Sequence, residues 1–145
     1  MKNKIIFSIL FVFTLIIAIS CEKADKWKDF QTFDPANLPI TGQYHVSWYL
    51  NGAVQGKPTI LSLYASPNKD GVWVDDNKEF WSFKVKANFN GNTFSITKGV
   101  ELLYDDSTTI KNGAVTNDSI YMEVEWVSDA GNTYVCRGKR QTGFE

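Results

Sequence analysis

The stretch "EFWSFKVKANFNGNTFSITKG", Glu79 to Gly99, decides the fold. Trp81, Phe83, Val85, Ala87 and Phe89 occupy alternate positions, with Ser82, Lys84, Lys86 and Asn88 between them. Successive side chains of a strand point to opposite faces, so this period of two reads as a strand with one buried face and one wet face. The "NGN" that follows is hairpin chemistry, because asparagine and glycine accept the left-handed backbone that a tight turn requires. It leads into a second strand, "TFSITKG". Working outward, the same pattern recurs. Tyr44, Val46, Trp48 and Leu50 alternate with His45, Ser47 and Tyr49 in a first strand that ends at the turn "NGAVQGKP". "TILSLYAS", "VWVDD" and "TTIKNGAV" supply further strands, and "TND" joins the last of these to "SIYMEVEWV", where Ile120, Met122, Val124 and Trp126 share a face. "SDAGN" then turns the chain into "TYVCRGKR". Eight short strands with hairpin-length connections predict an all-β, antiparallel up-and-down meander. Closing it into a barrel removes the two unpaired edges that an open sheet would expose. A β-sandwich is the rival architecture.

The N-terminus reads differently. Lys2 and Lys4 precede the apolar run "IIFSILFVFTLIIAI", Ile5 to Ile19. That run is about 15 residues, or roughly 22 Å as a helix, against a bilayer hydrocarbon core of about 30 Å. It fits the apolar region of an export signal better than a membrane span. "AISC", Ala18 to Cys21, resembles the bacterial lipobox, in which the cysteine takes a thioether-linked diacylglycerol, the peptide is cut before it, and the new amine receives an acyl chain such as palmitate. Residues 1–20 are therefore expected to be a lipoprotein signal peptide, and Cys21 the lipidation site. Residues 21–39, charged and carrying Pro35 and Pro39, read as a flexible tether, leaving 40–145 as the barrel domain. Several acyl chains make anchoring effectively permanent. The expected location is the cell envelope, lipid-anchored at the outer membrane.

Charge and cysteine content narrow the functions. Loss of Lys2 and Lys4 would leave 13 Lys and Arg against 16 Asp and Glu, a net charge of −3. Such a chain lacks the basic stripe that nucleic-acid binding requires, and nucleic acid is set aside as a partner. Two cysteines and one histidine cannot supply a four-ligand zinc site, and no cofactor is implied. With Cys21 acylated, Cys136 has no disulfide partner and is expected to be a small core residue.

"ITGQYHVSW", Ile40 to Trp48, and "RGKRQTGFE", Arg137 to Glu145, together with the lipobox, resemble a family of small Bacteroidota-type lipoproteins known as lipid-binding putative hydrolases. The resemblance implies a lipocalin-like barrel. Barrels of that kind place G-x-W on the first strand beneath a cation from the last one. Gly42 and Tyr44 occupy the pattern here, with tyrosine in place of tryptophan, and Arg137 or Arg140 is the candidate cation.

Catalysis finds little support in the residues. A hydrolase needs a nucleophile beside a base, or a metal-activated water. His45 is the sole histidine and falls on the outward face, and G-x-S-x-G is absent. Asp75, Asp76 and Glu79, like Asp105 and Asp106, sit in turns and read as solvated loop charges. The leading expectation is a membrane-anchored barrel that binds a small hydrophobic or amphipathic ligand without acting on it. Trp48, Trp81, Phe83, Met122 and Trp126 are the candidate cavity residues. An eight-stranded barrel has room either for its own side chains or for one small ligand. With Tyr44, Trp48, Trp81, Phe83, Phe89, Phe94 and Trp126 facing inward, any cavity should be small, shallow or open at one mouth. The alternative is a packed, dry barrel that uses exposed Tyr49, Trp73 and Tyr121 to bind a surface glycan or a partner protein. That reading requires the three rings to line one patch.

Overall fold

The computed structural model describes residues 39–68 and 70–141. The expected signal peptide, Cys21 and all of the tether except Pro39 lie outside the described residues. Eight strands follow one another: β1 (Gly42–Leu50), β2 (Ala53–Ala65), β3 (Val72–Asp75), β4 (Lys84–Asn90), β5 (Thr93–Val100), β6 (Ser107–Thr116), β7 (Ser119–Trp126) and β8 (Tyr134–Arg140). Each pairs antiparallel with the next, and β8 pairs with β1 from Tyr44↔Arg140 to Leu50↔Tyr134, so the sheet is a closed barrel. The predicted up-and-down topology is the one observed, and the sandwich is not.

Alternation sets the core as the sequence implied. Tyr44, Val46 and Trp48 of β1, Leu61 and Leu63 of β2, Val85 and Ala87 of β4, Ile120 to Trp126 at alternate positions of β7, and Cys136 of β8 are all buried. Full burial of side chains this size is worth about 1.5–3 kcal/mol each before the entropy of ordering is charged against it. Cys136 is a free thiol in this core, and His45 is exposed on the outer face.

Two segments depart from the sequence reading. "NGAVQGKP" is not all turn. Asn51 (φ 52°) and Gly52 (φ 81°) make a two-residue hairpin, and the chain re-enters the sheet at Ala53, with a register shift against β1 between Val46 and Trp48. Nor does β4 begin at Glu79. Asn77, Lys78 and Ser82 have positive φ, which breaks the extended backbone, so residues 76–83 form a loop and β4 starts at Lys84. Trp81 therefore reaches the interior from a loop and not from a strand.

An even number of up-and-down strands gives the barrel two unlike ends. One carries the chain's entry into β1, its exit from β8 and the β2–β3, β4–β5 and β6–β7 turns. The other carries the β1–β2 hairpin and the three longer β3–β4, β5–β6 and β7–β8 loops. We call the first the base and the second the mouth.

At the base, the Arg140 guanidinium lies over the Tyr44 ring, 5.1 Å from its centroid. It donates to the Thr41 and Pro39 carbonyls, and its Nε pairs with Asp118 at 2.8 Å. Tyr44 in turn donates its hydroxyl to the Ile40 carbonyl at 2.8 Å. Of the two candidate cations, Arg140 takes this place. Arg137 instead lies on the outside, between the rings of Tyr49 and Tyr121. Gly42 is required here, because its φ of 145° is strained for other residues and a Cβ would sit 2.6 Å from the Arg140 guanidinium.

Candidate ligand-binding site at the barrel mouth

The mouth is organised by a buried carboxylate. Asp76, the first residue after β3, is fully buried. Its Oδ1 accepts the Lys78 N–H at 2.9 Å, and its Oδ2 accepts those of Trp81 and Ser82, both at 2.7 Å, and of Phe80 at 3.3 Å. Burial pushes the Asp76 carboxyl above the usual aspartate range, and these four N–H groups pull it back. The loop is also fastened to β2, where Ile60 N–H donates to Glu79 at 2.7 Å and Asn77 Nδ2 donates to the Ile60 carbonyl at 2.8 Å. The reading of Asp75, Asp76 and Glu79 as solvated charges is thus wrong for Asp76. A side chain that gathers four backbone donors folds the loop inward, which a sequence offers no direct way to see.

The folded loop carries two rings over the barrel opening. Phe80 stacks on Trp48, with centroids 4.6 Å apart and planes 7° from parallel. Trp81 stacks on Trp126 at 4.6 Å and 17°. Phe83 meets Trp48 and Trp126 edge-on at 6.0 and 5.5 Å. Tyr134 packs against Trp126 at 5.1 Å and donates its hydroxyl to Asp129. The buried Trp48 indole donates to the Thr59 hydroxyl at 3.0 Å. Of the candidate cavity residues, Trp48, Trp81, Phe83 and Trp126 therefore meet in one aromatic cluster. Met122 is buried outside the ring contacts, paired across β7 and β8 with Cys136, which itself pairs with Trp48. Phe80 and Tyr134 belong to the cluster and were not singled out from sequence, because the residues between them and their partners give no periodic signal.

Two clefts open beside this cluster. One, of about 370 Å³, is lined by Trp81, Glu101, Tyr104, Asp105, Asp106 and Ser128. The other, of about 360 Å³, has Trp126, Lys98, Glu125 and Thr133 among its walls. The stacked indoles thus present Trp81 to one cleft and Trp126 to the other. Both volumes lie at the lower end of the range for small-molecule sites, about 300–1,000 Å³.

Glu101 stands out in the first cleft. It is buried and accepts a hydrogen bond from the Thr108 hydroxyl. Burial pushes its carboxyl above the usual glutamate range, the Thr108 bond works against that, and the Asp106 and Asp76 charges push it further up. The Trp126 indole N–H is close enough to lower it slightly, yet makes no hydrogen bond of proper geometry and is itself buried. Asp106 ties two mouth loops together, accepting from Ser107 N–H at 2.7 Å and from the Ser128 hydroxyl at 2.5 Å. Glu101 was not a sequence candidate. The visible hint was a lone acid in the apolar run "VELLY", Val100 to Tyr104.

A model of the lipid-binding putative hydrolase family matches residues 32–145, the whole barrel included. The chain belongs to the lipid-binding putative hydrolase family. No curated protein shows significant similarity to it. For a lipid-binding family member, an aromatic cluster beside open clefts is the feature that can take a hydrocarbon. Among the described residues, the Ser128 hydroxyl donates to the Asp106 carboxylate, and no metal-holding group of His, Cys, Asp and Glu comes together.

The exposed aromatics do not form one patch. Tyr49 and Tyr121 flank Arg137 across β1, β8 and β7, at 5.5 and 5.7 Å from its guanidinium. Trp73 lies on β3 beside Tyr64, and Lys84 covers both. Tyr49 pairs with Val54 at the mouth end of β2, whereas Trp73 pairs with Tyr64 at its base end, so the three rings do not line one patch and the condition set for a glycan-binding or assembly surface is not met.

Proposed function

We propose that this lipid-binding family member holds a small hydrophobic or amphipathic molecule at the barrel mouth without transforming it. In this reading, the ligand's apolar part lies against Trp81 and the rings behind it, and its polar part stays in the cleft. The observation that carries the reading is the position of Trp81, which belongs at once to the closed aromatic core and to the wall of an open cleft. We further propose that Cys21 is acylated and that the protein works from a lipid anchor in the cell envelope, a reading supported by the "AISC" motif behind a short apolar run.

Native mass spectrometry of the barrel, purified without detergent, should detect a co-purifying amphiphile released on unfolding. Trp81→Ala should lower its occupancy about tenfold or more, since an aromatic wall contributes over 1 kcal/mol to such contacts. Absence of any adduct, together with no shift in tryptophan emission on adding a lipid extract, would remove the binding role. Mass spectrometry of the membrane-fractionated full chain tests the anchor: the mature N-terminus should be an acylated Cys21, and Cys21→Ala should release the protein from membranes.

A further inference from the structure

We infer that the rim of the mouth is a membrane-docking surface, which seats the barrel's opening on a lipid bilayer so that its ligand passes between membrane and cleft without crossing water. This deepens the proposed lipid-binding role and rests on it. Among the described residues, the large apolar side chains left exposed are Val54, Val100, Leu102, Tyr104 and Val127, at 58 to 75 %. All five stand at the mouth. Val54 lies beside the β1–β2 hairpin, Val100, Leu102 and Tyr104 lie at the β5–β6 connection, and Val127 begins the β7–β8 loop. The remaining mouth connection, between β3 and β4, carries Phe80 and Trp81. The turns of the base are instead built from Asn68, Asp70, Gly91, Asn92, Asn117 and Asp118. Exposed apolar residues scattered singly over a protein are ordinary, but a set confined to one end marks a contact.

The rim is continuous with the candidate site, since Tyr104 lines one cleft and Val127 the other, so whatever covers the rim also meets both openings. A protein seated there would close them, whereas a bilayer supplies the hydrocarbon that a lipid-binding family takes up. The chain also has the reach. The ten residues of β6 rise about 33 Å, and the 18 residues from Glu22 to Pro39 span at most about 60 Å, so a chain anchored at Cys21 and entering at the base can still turn its mouth to the same membrane. Aliphatic tips with a tyrosine among them suit the boundary between headgroups and acyl chains, where an apolar ring with a polar hydroxyl meets both. Asp105 and Asp106 directly follow Tyr104, so docking depends on apolar area and not on attraction to anionic lipid.

All eight strands and the buried core lie within residues 40–141, so residues 22–145 carry the complete fold. This chain is held on phosphatidylcholine vesicles by an N-terminal hexahistidine on nickel-chelating lipid, which attaches it at the base end whether or not Cys21 is acylated. A nitrobenzoxadiazole probe is placed at the mouth through Val127→Cys or at the base through Asn92→Cys, and the buried Cys136 does not compete for label. The mouth probe should shift to the blue and be quenched by nitroxide-bearing acyl chains at least about threefold more strongly than the base probe, because docked apolar faces lie about 5–10 Å into the interface. Val100→Ser combined with Leu102→Ser should return its quenching to the level of the base probe with the circular dichroism spectrum unchanged, and added phosphatidylglycerol should not strengthen it. Equal quenching at both ends overturns the inference, because the barrel would then have no preferred face toward lipid. No quenching at either end overturns it too, and leaves ligand binding standing if native mass spectrometry still finds the amphiphile; absence of the amphiphile, whatever the probes report, fails the ligand-binding reading itself. A mouth probe that shifts without vesicles, in step with a dimer in sedimentation, overturns it in favour of a second copy of the chain. Quenching that survives the serine substitutions, or that requires phosphatidylglycerol, overturns the apolar rim as its cause.

Discussion

The two ends of this barrel are closed by opposite means. At the base, one guanidinium reaches two other chain segments: it covers Tyr44 and takes the carbonyls of Pro39 and Thr41 at the entry to β1, and it pairs with Asp118 in the β6–β7 turn. The hydrogen bonds and the ion pair are directional, and they are made by residues of tight turns or strand ends. At the mouth, closure is by stacked rings on a loop, and the polar groups beneath them are buried acids with neutral donors. Stacked rings can slide over one another while staying in contact, whereas a forked guanidinium is held to fixed donor directions. The contrast teaches that sealing a barrel and leaving it able to admit a ligand call for different chemistry at its two ends.

The sharpest way to break this comparison is to remove the base clamp. Arg140→Ala takes away a cation–π contact, two carbonyl partners and an ion pair at once, and should destabilise the barrel by about 2–4 kcal/mol. Urea denaturation followed by tryptophan emission measures it. Arg140→Lys should recover less than half, because a single ammonium cannot span the same partners. A loss below about 1 kcal/mol would mean that β8 is held by its ladder alone.

A smaller effect is expected at the mouth. Asp76→Ala strands four backbone N–H groups, two of them at 2.7 Å, and should cost about 1–3 kcal/mol. Its signature should be local. Hydrogen exchange of residues 77–83 should accelerate, and the emission of Trp81 should shift to the red, while the Tyr44–Arg140 end keeps its protection. Uniform loss of protection around the barrel would show that the loop is structural and not a separable cover.

The smallest effect concerns pH. Burial raises the folded-state pKa of Glu101, so the native barrel holds this proton more tightly than the unfolded chain does. Its favourable contribution is complete below the ordinary glutamate value, about 4.3, and is lost as pH rises through the raised one. Glu101→Gln keeps an oxygen that can accept from Thr108 and removes the titration. The melting temperature of the variant should therefore gain on the wild type as pH rises from 4 to 7, by about a few degrees. The difference between the two proteins is the measurement to make, because Asp76 shares the same sign while Asp70 and Glu125, paired with Lys86 and Lys111, carry the opposite one.

What was legible in the sequence follows from range. Alternation is local, so the inward faces of β1, β4 from Lys84 onward and β7 could be read directly. "NG" at Asn51–Gly52 was read as a turn, yet the strand beyond it was hidden by Gly56 and Pro58, residues that usually end strands and here sit beside a register shift. The alternation of Trp81 and Phe83 continued the pattern of β4 and drew the strand too far back, because no periodic rule reports that Asp76 will collect four N–H groups from the next six residues. The base pairing of Tyr44 with a cation could be anticipated only through a family resemblance, since 96 positions of chain separate the partners. Glu101 was invisible for a related reason: its burial depends on Thr108, Asp106 and Trp126, which arrive from two other segments.

An even strand count has a practical corollary. Gln141 N–H bonds the Gln43 carbonyl, and Arg140 reaches Pro39, so entry and exit share one rim. Whatever is fused before Pro39 or after Gln141, whether an affinity handle, a fluorophore or a bead surface, joins the barrel opposite its opening. Binding at the mouth, as proposed here, can thus be tested on immobilised protein with that end unobstructed.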